Sequence, residues 1–243
     1  MRFNVAQRTL SDTRDSNTYV VRKLADGKCW MTQNLRLVGS RTLTSSNSNV
    51  TRNWTLPASS TSFCDTGDTA CIDVGRVYNS GNSTYGAHYT WYAATAGSGA
   101  YANASGSVAQ SICPKGWGLP TGGSGGEFAQ LYSKYNSYSK FTTATSGALS
   151  GSYGKPGEYL KGEGGFWWSK TASDNTGAYT MNFYSASSSV SPNVASPTAT
   201  ARKYVGVQCT LHFSIINYRA IQRTEFPICF PPDHGALATL ALS

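Results

Sequence analysis

The six cysteines are the residues of this chain best suited to covalent chemistry, and they stand at positions 29, 64, 71, 113, 209 and 229. No two have the C-x-x-C spacing of common zinc and redox-active thiol motifs, and no histidine completes a zinc-ligand pattern with a cysteine pair. This pattern favours disulfide bonds formed in an oxidising compartment. The segment between Cys64 and Cys71 is short and rich in turn residues, so we expect a local bridge there.

Few side chains of this chain are candidates for acid–base catalysis. Glu127 stands near the start of an expected helix, where a carboxylate complements the helix dipole. Glu158 and Glu163 flank glycine turns, so the sequence does not favour the paired carboxylates of a glycosidase. His88 lies in a tyrosine-rich segment typical of aromatic packing, which favours a structural histidine over a general base. We therefore expect no enzymatic activity.

The composition points to a binding surface or a plain secreted scaffold. Charged residues make up only 13% of the chain, against about 25% in an ordinary domain. A surface of Tyr, Ser, Asn and Gly is typical of adaptable binding sites, and it is equally typical of secreted β-rich scaffolds. The net charge of +8 comes from basic residues scattered singly, so a nucleic-acid partner is not expected. No apolar run approaches the ~18 residues that a membrane span requires.

The elements that must position these residues are mostly strands. A hairpin is expected from strands at 18–24 and 28–37, with Asp26 and Gly27 in its turn. The spacing of Phe128 and Leu131 predicts a helix over 126–135. Residues 85–96 are expected to form a strand or a short helix. Residues 38–62 are expected to form a long excursion of the chain over the surface. Further strands are expected at 164–170, 178–184 and 203–210.

The chain divides into one domain with two flanking segments. The domain is expected over residues 10–210. Residues 1–9 are interpreted as an N-terminal remnant, and the arbitrary start of the chain favours a fragment of a longer protein. Residues 211–243 lose the Ser, Gly and Asn of the domain, so we interpret them as a poorly defined tail, not necessarily native.

Five motifs in order across residues 10–210 carry a family resemblance. They resemble the Fibrobacter succinogenes major paralogous (FISUMP-type) domain family of bacteria, which is similar to C-type-lectin-like and formylglycine-generating-enzyme-like folds. The motifs are Asp12-Thr13-Arg14-Asp15-x-Asn17-x-Tyr19, Leu24-x-Asp26-Gly27-x-Cys29-Trp30-Met31-x-x-Asn34-Leu35, Cys113-Pro114-x-Gly116-Trp117-x-Leu119-Pro120-Thr121, Trp168-Ser169 and Val205-Gly206-Val207-Gln208-Cys209.

The resemblance implies an α+β, C-type-lectin-like domain with mixed or antiparallel strands, one or two helices and long loops. It implies an extracellular or cell-surface location and a disulfide between Cys113 and Cys209 that ties the helix entry to the last strand. Cys64 and Cys71 are expected to form the second bridge. Cys29 lacks an obvious partner, and Cys229 is either free or paired with it.

The resemblance also sets the functional alternatives. The favoured one is a non-enzymatic interaction module that binds a surface protein or a glycan through a loop face. The others are a structural domain of an envelope protein and a formylglycine-generating-enzyme-like oxidase, which needs two reactive thiols. The lectin triplets that bind calcium are absent, and Asp65, Asp68 and Asp73 are interpreted as solvated turn residues, so no metal or cofactor is expected. The expected contact residues are Tyr179, Asn182, Tyr184, Ser185 and Ser187.

Overall fold

The structure is a computed structural model that describes residues 2–4, 9–60, 77–79, 85–99, 106–145, 152–154, 157–159, 161–174, 177–194, 205–207 and 209–211. Over these residues the chain is a mixed α+β protein with mostly antiparallel strands and three short helices. The class agrees with the prediction, and the helices exceed the expected one or two. Residues 85–96 hold both a strand and a short helix capped by Thr90, and the helix at Tyr138–Thr145 was not predicted. None of these helices is long and apolar enough to cross a membrane.

The helices are α1 (Trp91–Ala94), α2 (Glu127–Lys134) and α3 (Tyr138–Thr145). The strands are β1 (Arg2–Asn4), β2 (Thr9–Ser11), β3 (Thr18–Lys23), β4 (Cys29–Met31), β5 (Arg41–Leu43), β6 (Trp54–Leu56), β7 (Ser59–Ser60), β8 (Val77–Asn79), β9 (Ala87–Tyr89), β10 (Gly106–Ser107), β11 (Trp117–Gly118), β12 (Ser152–Gly154), β13 (Gly157–Tyr159), β14 (Gly164–Asp174), β15 (Gly177–Tyr184), β16 (Ser189–Val194), β17 (Val205–Gly206) and β18 (Thr210–Leu211).

The first sheet brings the first and last described strands together. Its strand order is β1-β2-β3-β4-β18-β11. The closing strand β18 lies between β4 and β11, with Thr210 opposite both Trp30 and Gly118. Leu211, which the sequence analysis assigns to the tail, pairs with Trp117 in this strand. Strand β1, from the expected N-terminal remnant, pairs with β2 and forms the edge of the sheet.

The second sheet is built around the long hairpin of β14 and β15. Its strand order is β16-β15-β14-β17-β9-β8-β7, and Trp167 lies opposite Met181. The glycine at position 165, near the start of β14, has a steric reason, because a Cβ there would lie 2.0 Å from the ring of Phe183. The strands predicted at 164–170 and 178–184 are thus confirmed, and β14 runs on to Asp174.

The alternation of side chains along β15 divides the interior into two clusters. Met181 and Phe183 point to one side, where they pack with Trp167 against helices α2 and α3. The aromatic ring of Phe141 on α3 lies 5.3 Å from those of both Trp167 and Phe183. Each such aromatic pair contributes about 0.5–1.5 kcal/mol beyond its buried area. Ala178, on the other side of β15, belongs to the larger cluster shared with the first sheet.

Two expectations about the course of the chain are corrected. Residues 38–62 are not only a surface excursion, because β5 and β6 pair there and bury Leu43, Val50 and Leu56 in the larger cluster. The single strand expected at 203–210 is two strands in different sheets, β17 in the second and β18 in the first. The chain passes from one sheet to the other near Val207, whose carbonyl accepts a hydrogen bond from Leu35 N at 2.8 Å.

The disulfide between Cys113 and Cys209 is present, as the resemblance implies. The two Cα atoms are 6.0 Å apart, 96 residues apart in sequence, and both side chains are fully buried. Cys29, whose pairing the sequence leaves open, is also disulfide-bonded, and its partner lies outside the described residues. The predicted Cys64–Cys71 bridge lies outside the described residues as well.

Replacing both Cys113 and Cys209 by alanine is expected to lower the free energy of unfolding by about 4–5 kcal/mol, because the bridge closes a loop of 96 residues in the unfolded chain. Urea unfolding of the oxidised proteins measures the difference. A loss below about 1 kcal/mol would show that the remaining contacts of the closing strand hold it without the covalent bond.

Candidate functional site

Two residues of the first motif, Asp12 and Arg14, form a buried ion pair. Arg14 donates from Nη2 to Asp12 Oδ2 at 2.6 Å and from Nε to Oδ1 at 2.9 Å. Its Nη1 donates to Ser48 Oγ at 2.9 Å and to the carbonyl of Ile112 at 2.7 Å. The side chains of Arg14 and Asp12 are only 3% and 1% exposed. The guanidinium therefore ties three segments together beside Cys113, which is a structural role.

The carboxylate of Glu127 has a structural role at the start of α2, as predicted. Lys28 Nζ donates to Oε1 at 2.9 Å, and Thr121 N donates to Oε2 at 2.8 Å. In return Glu127 N donates to Thr121 Oγ1 at 2.9 Å, which gives a partner to the first N–H of the helix. Both carboxylate oxygens are therefore engaged. Glu163 lies in an exposed turn, and the side chain of Glu158 is outside the described residues.

The turn that begins the second motif is held by a half-buried carboxylate. Asp26 accepts hydrogen bonds from Lys28 N at 3.1 Å and from Trp30 Nε1 at 2.9 Å. Gly27 has a φ of +82°, which favours glycine. Burial is the main influence on Asp26 and raises its pKa above the ordinary value, while the two hydrogen bonds oppose the shift. The carboxylate of this turn is therefore partly desolvated.

Metal and acid–base sites are not supported by the described residues. Within them, no group of three or more His, Cys, Asp or Glu side chains is placed to hold a metal ion. The three aspartates considered for calcium, Asp65, Asp68 and Asp73, lie outside the described residues. His88 is fully buried on β9, opposite Gly206 of β17, in keeping with the structural histidine that the sequence favours.

Two turns meet at one end of the β14–β15 hairpin and form a polar rim. One turn comprises residues 161–163 and the other residues 185–188. Ser185 locks them together, since its N and Oγ donate to the carbonyl of Glu163 at 2.7 and 2.9 Å. Lys161 lies 5.9 Å from the ring centroid of Tyr85, which extends the rim toward β9. We define the rim by its side chains, which are Tyr85, Lys161, Glu163, Tyr184, Ser185 and Ser187.

Two uncharged polar side chains lie behind this rim. Asn182 and Thr180 follow Tyr184 on the same face of β15, opposite Phe166 and Trp168 of β14. The ring of Phe166 meets that of Tyr184 edge to face, with centroids 5.5 Å apart. Asn182 is 5% exposed and Thr180 is 2% exposed. Asn182 Oδ1 and Thr180 Oγ1 have no hydrogen-bond partner among the described residues.

The structure brings four of the five predicted contact residues to this end of the hairpin. Tyr184, Ser185 and Ser187 belong to the rim, and Asn182 lies directly behind it. Tyr179 does not join them, because it lies on the opposite face of β15 near the other end. There it packs on the glycine loop before α2, and a Cβ on Gly122 would lie 2.1 Å from its Cβ. The binding role of all five residues stays a prediction.

Sequence reasoning missed the other members of the site. Lys161 and Glu163 join it because the backbone of Ser185 bonds to their turn, a contact between residues 22 apart. Thr180 was within reach of sequence analysis, since it alternates with Asn182 in a predicted strand. Phe166 could be assigned to the site only from the register of β14 against β15, and the sequence carries no local signal for that register.

No protein-family model, curated protein or solved structure matches this chain. The family resemblance therefore stays a prediction based on the five motifs.

The Asp12–Arg14 pair yields a stability prediction. Arg14→Met alone is expected to cost about 3–5 kcal/mol, because it leaves the buried carboxylate of Asp12 without its partner. Adding Asp12→Leu is expected to restore part of that loss, since no buried charge then remains. Lys28→Met is the matched control, with an expected cost of about 1 kcal/mol, because the Lys28 side chain is 33% exposed and the carboxylate of Glu127 keeps its hydrogen bond from Thr121 N. Urea unfolding measures all three, and a double variant no more stable than Arg14→Met would contradict the prediction.

Asp26 yields a prediction for the pH dependence of stability. Its folded pKa lies above the unfolded value of about 3.9, so the folded state holds the proton more tightly. The free energy of unfolding therefore loses a contribution as the pH rises from the unfolded pKa through the folded pKa. The stability of Asp26→Asn minus that of the parent is thus expected to increase between about pH 3 and 7.

Urea unfolding of both proteins at a series of pH values measures this difference. Burial is also the main influence that raises the pKa of Asp15, but Asp15 is present in both proteins, so its effect cancels. A difference that stays flat or decreases with pH would contradict the prediction.

Proposed function

We propose that this chain is a non-enzymatic interaction module of C-type-lectin-like architecture that works outside the cell or on its surface. It binds a surface protein or a glycan, and a glycan is the ligand that the chemistry of the rim favours. The observation that carries the proposal is the polar rim itself. There, two tyrosines, two serine hydroxyls and one charge of each sign lie together around the two turns held by Ser185.

The lectin-like architecture is supported by contacts between the motifs that carry the resemblance. Met31 N donates to the carbonyl of Cys209 at 2.9 Å, and Leu35 N donates to that of Val207 at 2.8 Å. The second motif thus lies directly against the last, and the disulfide adds Cys113 of the third. Residues far apart in sequence therefore form one structural unit, as expected if the motifs specify a single fold.

The disulfides support an oxidising compartment and a role other than thiol catalysis. Cys113, Cys209 and Cys29 are all disulfide-bonded, and disulfides persist mainly in extracytoplasmic proteins. The Cys113 and Cys209 sulfurs are bonded to each other and fully buried. Two accessible thiols, which the oxidase alternative needs, are therefore not offered by this pair.

The rim has the chemistry of a recognition surface. Tyrosine offers a rigid amphipathic ring with little loss of conformational entropy, and serine hydroxyls offer adaptable hydrogen bonds. Lys161, Glu163 and Ser187 are exposed, while Tyr184 and Ser185 are half-buried. Since the backbone of the two turns is already fixed, binding orders few additional residues. These features favour recognition over the alternative of a purely structural envelope domain.

A glycan array with matched variants tests the proposed function. The purified, oxidised chain is expected to bind at least one class of glycan. The double variant Lys161→Ala with Glu163→Ala is expected to reduce that binding about tenfold, or about 1.4 kcal/mol, because both side chains lie on the rim. Lys140→Ala, an exposed change on α3, is expected to leave it unchanged. An array on which the parent chain binds no glycan would overturn the proposal of a glycan ligand.

A further inference from the structure

The second motif holds the backbone of Tyr85 in place. Asn34 Nδ2 donates to the carbonyl of Tyr85 at 2.8 Å, and Asn34 is only 1% exposed. Gly86 follows with a φ of +75°, and a Cβ there would lie 2.6 Å from the Cβ of Asn34. Ala87 N then donates to the carbonyl of Leu35 at 3.0 Å. Three successive residues are therefore fixed by Asn34 and Leu35 of the motif.

The side chain of Tyr85 does not join the core that its backbone adjoins. Its ring is half-buried and belongs to neither buried cluster of the described residues. Tyr184, the other tyrosine of the rim, packs against the larger cluster and meets Phe166 edge to face. Tyr85 is therefore the aromatic ring of the rim that core packing does not engage. A fixed backbone beneath such a ring suits a binding platform, because ordering it on binding costs little entropy.

We propose that Tyr85 is the platform on which a pyranose ring stacks and that Asn34 positions this platform, and this inference rests on the proposed function. The face of an aromatic ring is electron-rich, so it attracts the C–H groups on the apolar face of a sugar. Lys161 Nζ lies 5.9 Å from the centroid of the same ring, at the limit of a cation–π contact. Because the lysine chain is exposed and flexible, its ammonium is able to donate to a hydroxyl at the edge of the stacked sugar.

Two variants of Tyr85 test the platform on a printed array of oligosaccharides. Tyr85→Leu removes the aromatic face and is expected to weaken binding to the glycans that the parent chain binds at least about tenfold. Tyr85→Phe keeps that face and is expected to bind within about twofold of the parent. Both variants are expected to unfold within about 2 °C of the parent, because the ring lies outside both clusters.

Tyr92→Leu is the matched control. Tyr92 is another half-buried tyrosine outside both clusters, and it lies on α1, which follows the other end of β9. The same chemical change at this position is expected to leave glycan binding unchanged. A loss of binding in Tyr92→Leu as large as that in Tyr85→Leu would contradict a platform specific to the rim.

A double-mutant cycle tests the role of Asn34 as a positioning residue. Asn34→Ala is expected to weaken glycan binding about fivefold in the parent, because Tyr85 loses the hydrogen bond that fixes its backbone. In the Tyr85→Leu background the same change is expected to have no effect on binding, since no platform is left to position. Asn34→Ser is run in parallel as a milder change at this buried position. Binding is measured well below the midpoint temperature of each variant, so that only folded protein is compared.

The outcomes distinguish this inference from the proposed function. If the parent chain binds glycans and Tyr85→Leu binds as well as the parent, the platform is wrong while the proposed function stands. If Tyr85→Phe loses as much binding as Tyr85→Leu, the ligand contacts the phenol hydroxyl and the stacked sugar is wrong. Equal losses from the Asn34 variants in both backgrounds would overturn the positioning role. If the parent chain binds no glycan at all, the proposed glycan ligand fails, and the platform fails with it.

Discussion

The bond between Cys113 and Cys209 is the constraint on which the rest of this structure depends. The closing strand β18 has only two residues, yet it completes the first sheet between β4 and β11. So short a strand makes too few ladder bonds to offset the entropy of ordering it. The disulfide fixes the residue immediately before it, and Met31 N then bonds to the Cys209 carbonyl. Without this link, the second sheet would lose its connection to the first at Val207.

The polar interactions around the disulfide explain how a chain with so few charges specifies one fold. Only 13% of the residues are charged, and several of these are buried with assigned partners. Arg14 bonds to the carbonyl just before Cys113, and Glu127 joins the third motif to Lys28 of the hairpin. A buried charge tolerates few alternative positions, because any misplacement leaves it unpaired. These residues therefore define the positions of the loops between the two sheets.

Local patterns of the sequence predicted many of the elements and the hairpin of β3 and β4, but not the pairing of strands that are distant in sequence. The spacing of Phe128 and Leu131 located α2 to within a residue at each end, because a helix is specified by its own side chains. The sequence pattern did not predict the hairpin of β5 and β6, because Leu43 and Leu56 are isolated apolar residues in a polar stretch. Within the site, four of the five predicted residues lie together, but Phe166 and Lys161 join them only through pairing across the hairpin. Such pairing depends on the register of the strands, which periodicity does not determine.

The position of Tyr179 shows why a recognition surface on this hairpin must be built from its turns. Successive side chains of a strand point to opposite faces, so Tyr179 and Tyr184, five residues apart, cannot share one. Packing against the glycine loop before α2 already occupies Tyr179. The inner face of the hairpin carries Met181 and Phe183, whose replacement would disturb the helices. Residues 161–163 and 185–188 belong to neither buried cluster, so their side chains can differ between proteins that share this fold and bind different ligands without disturbing its core.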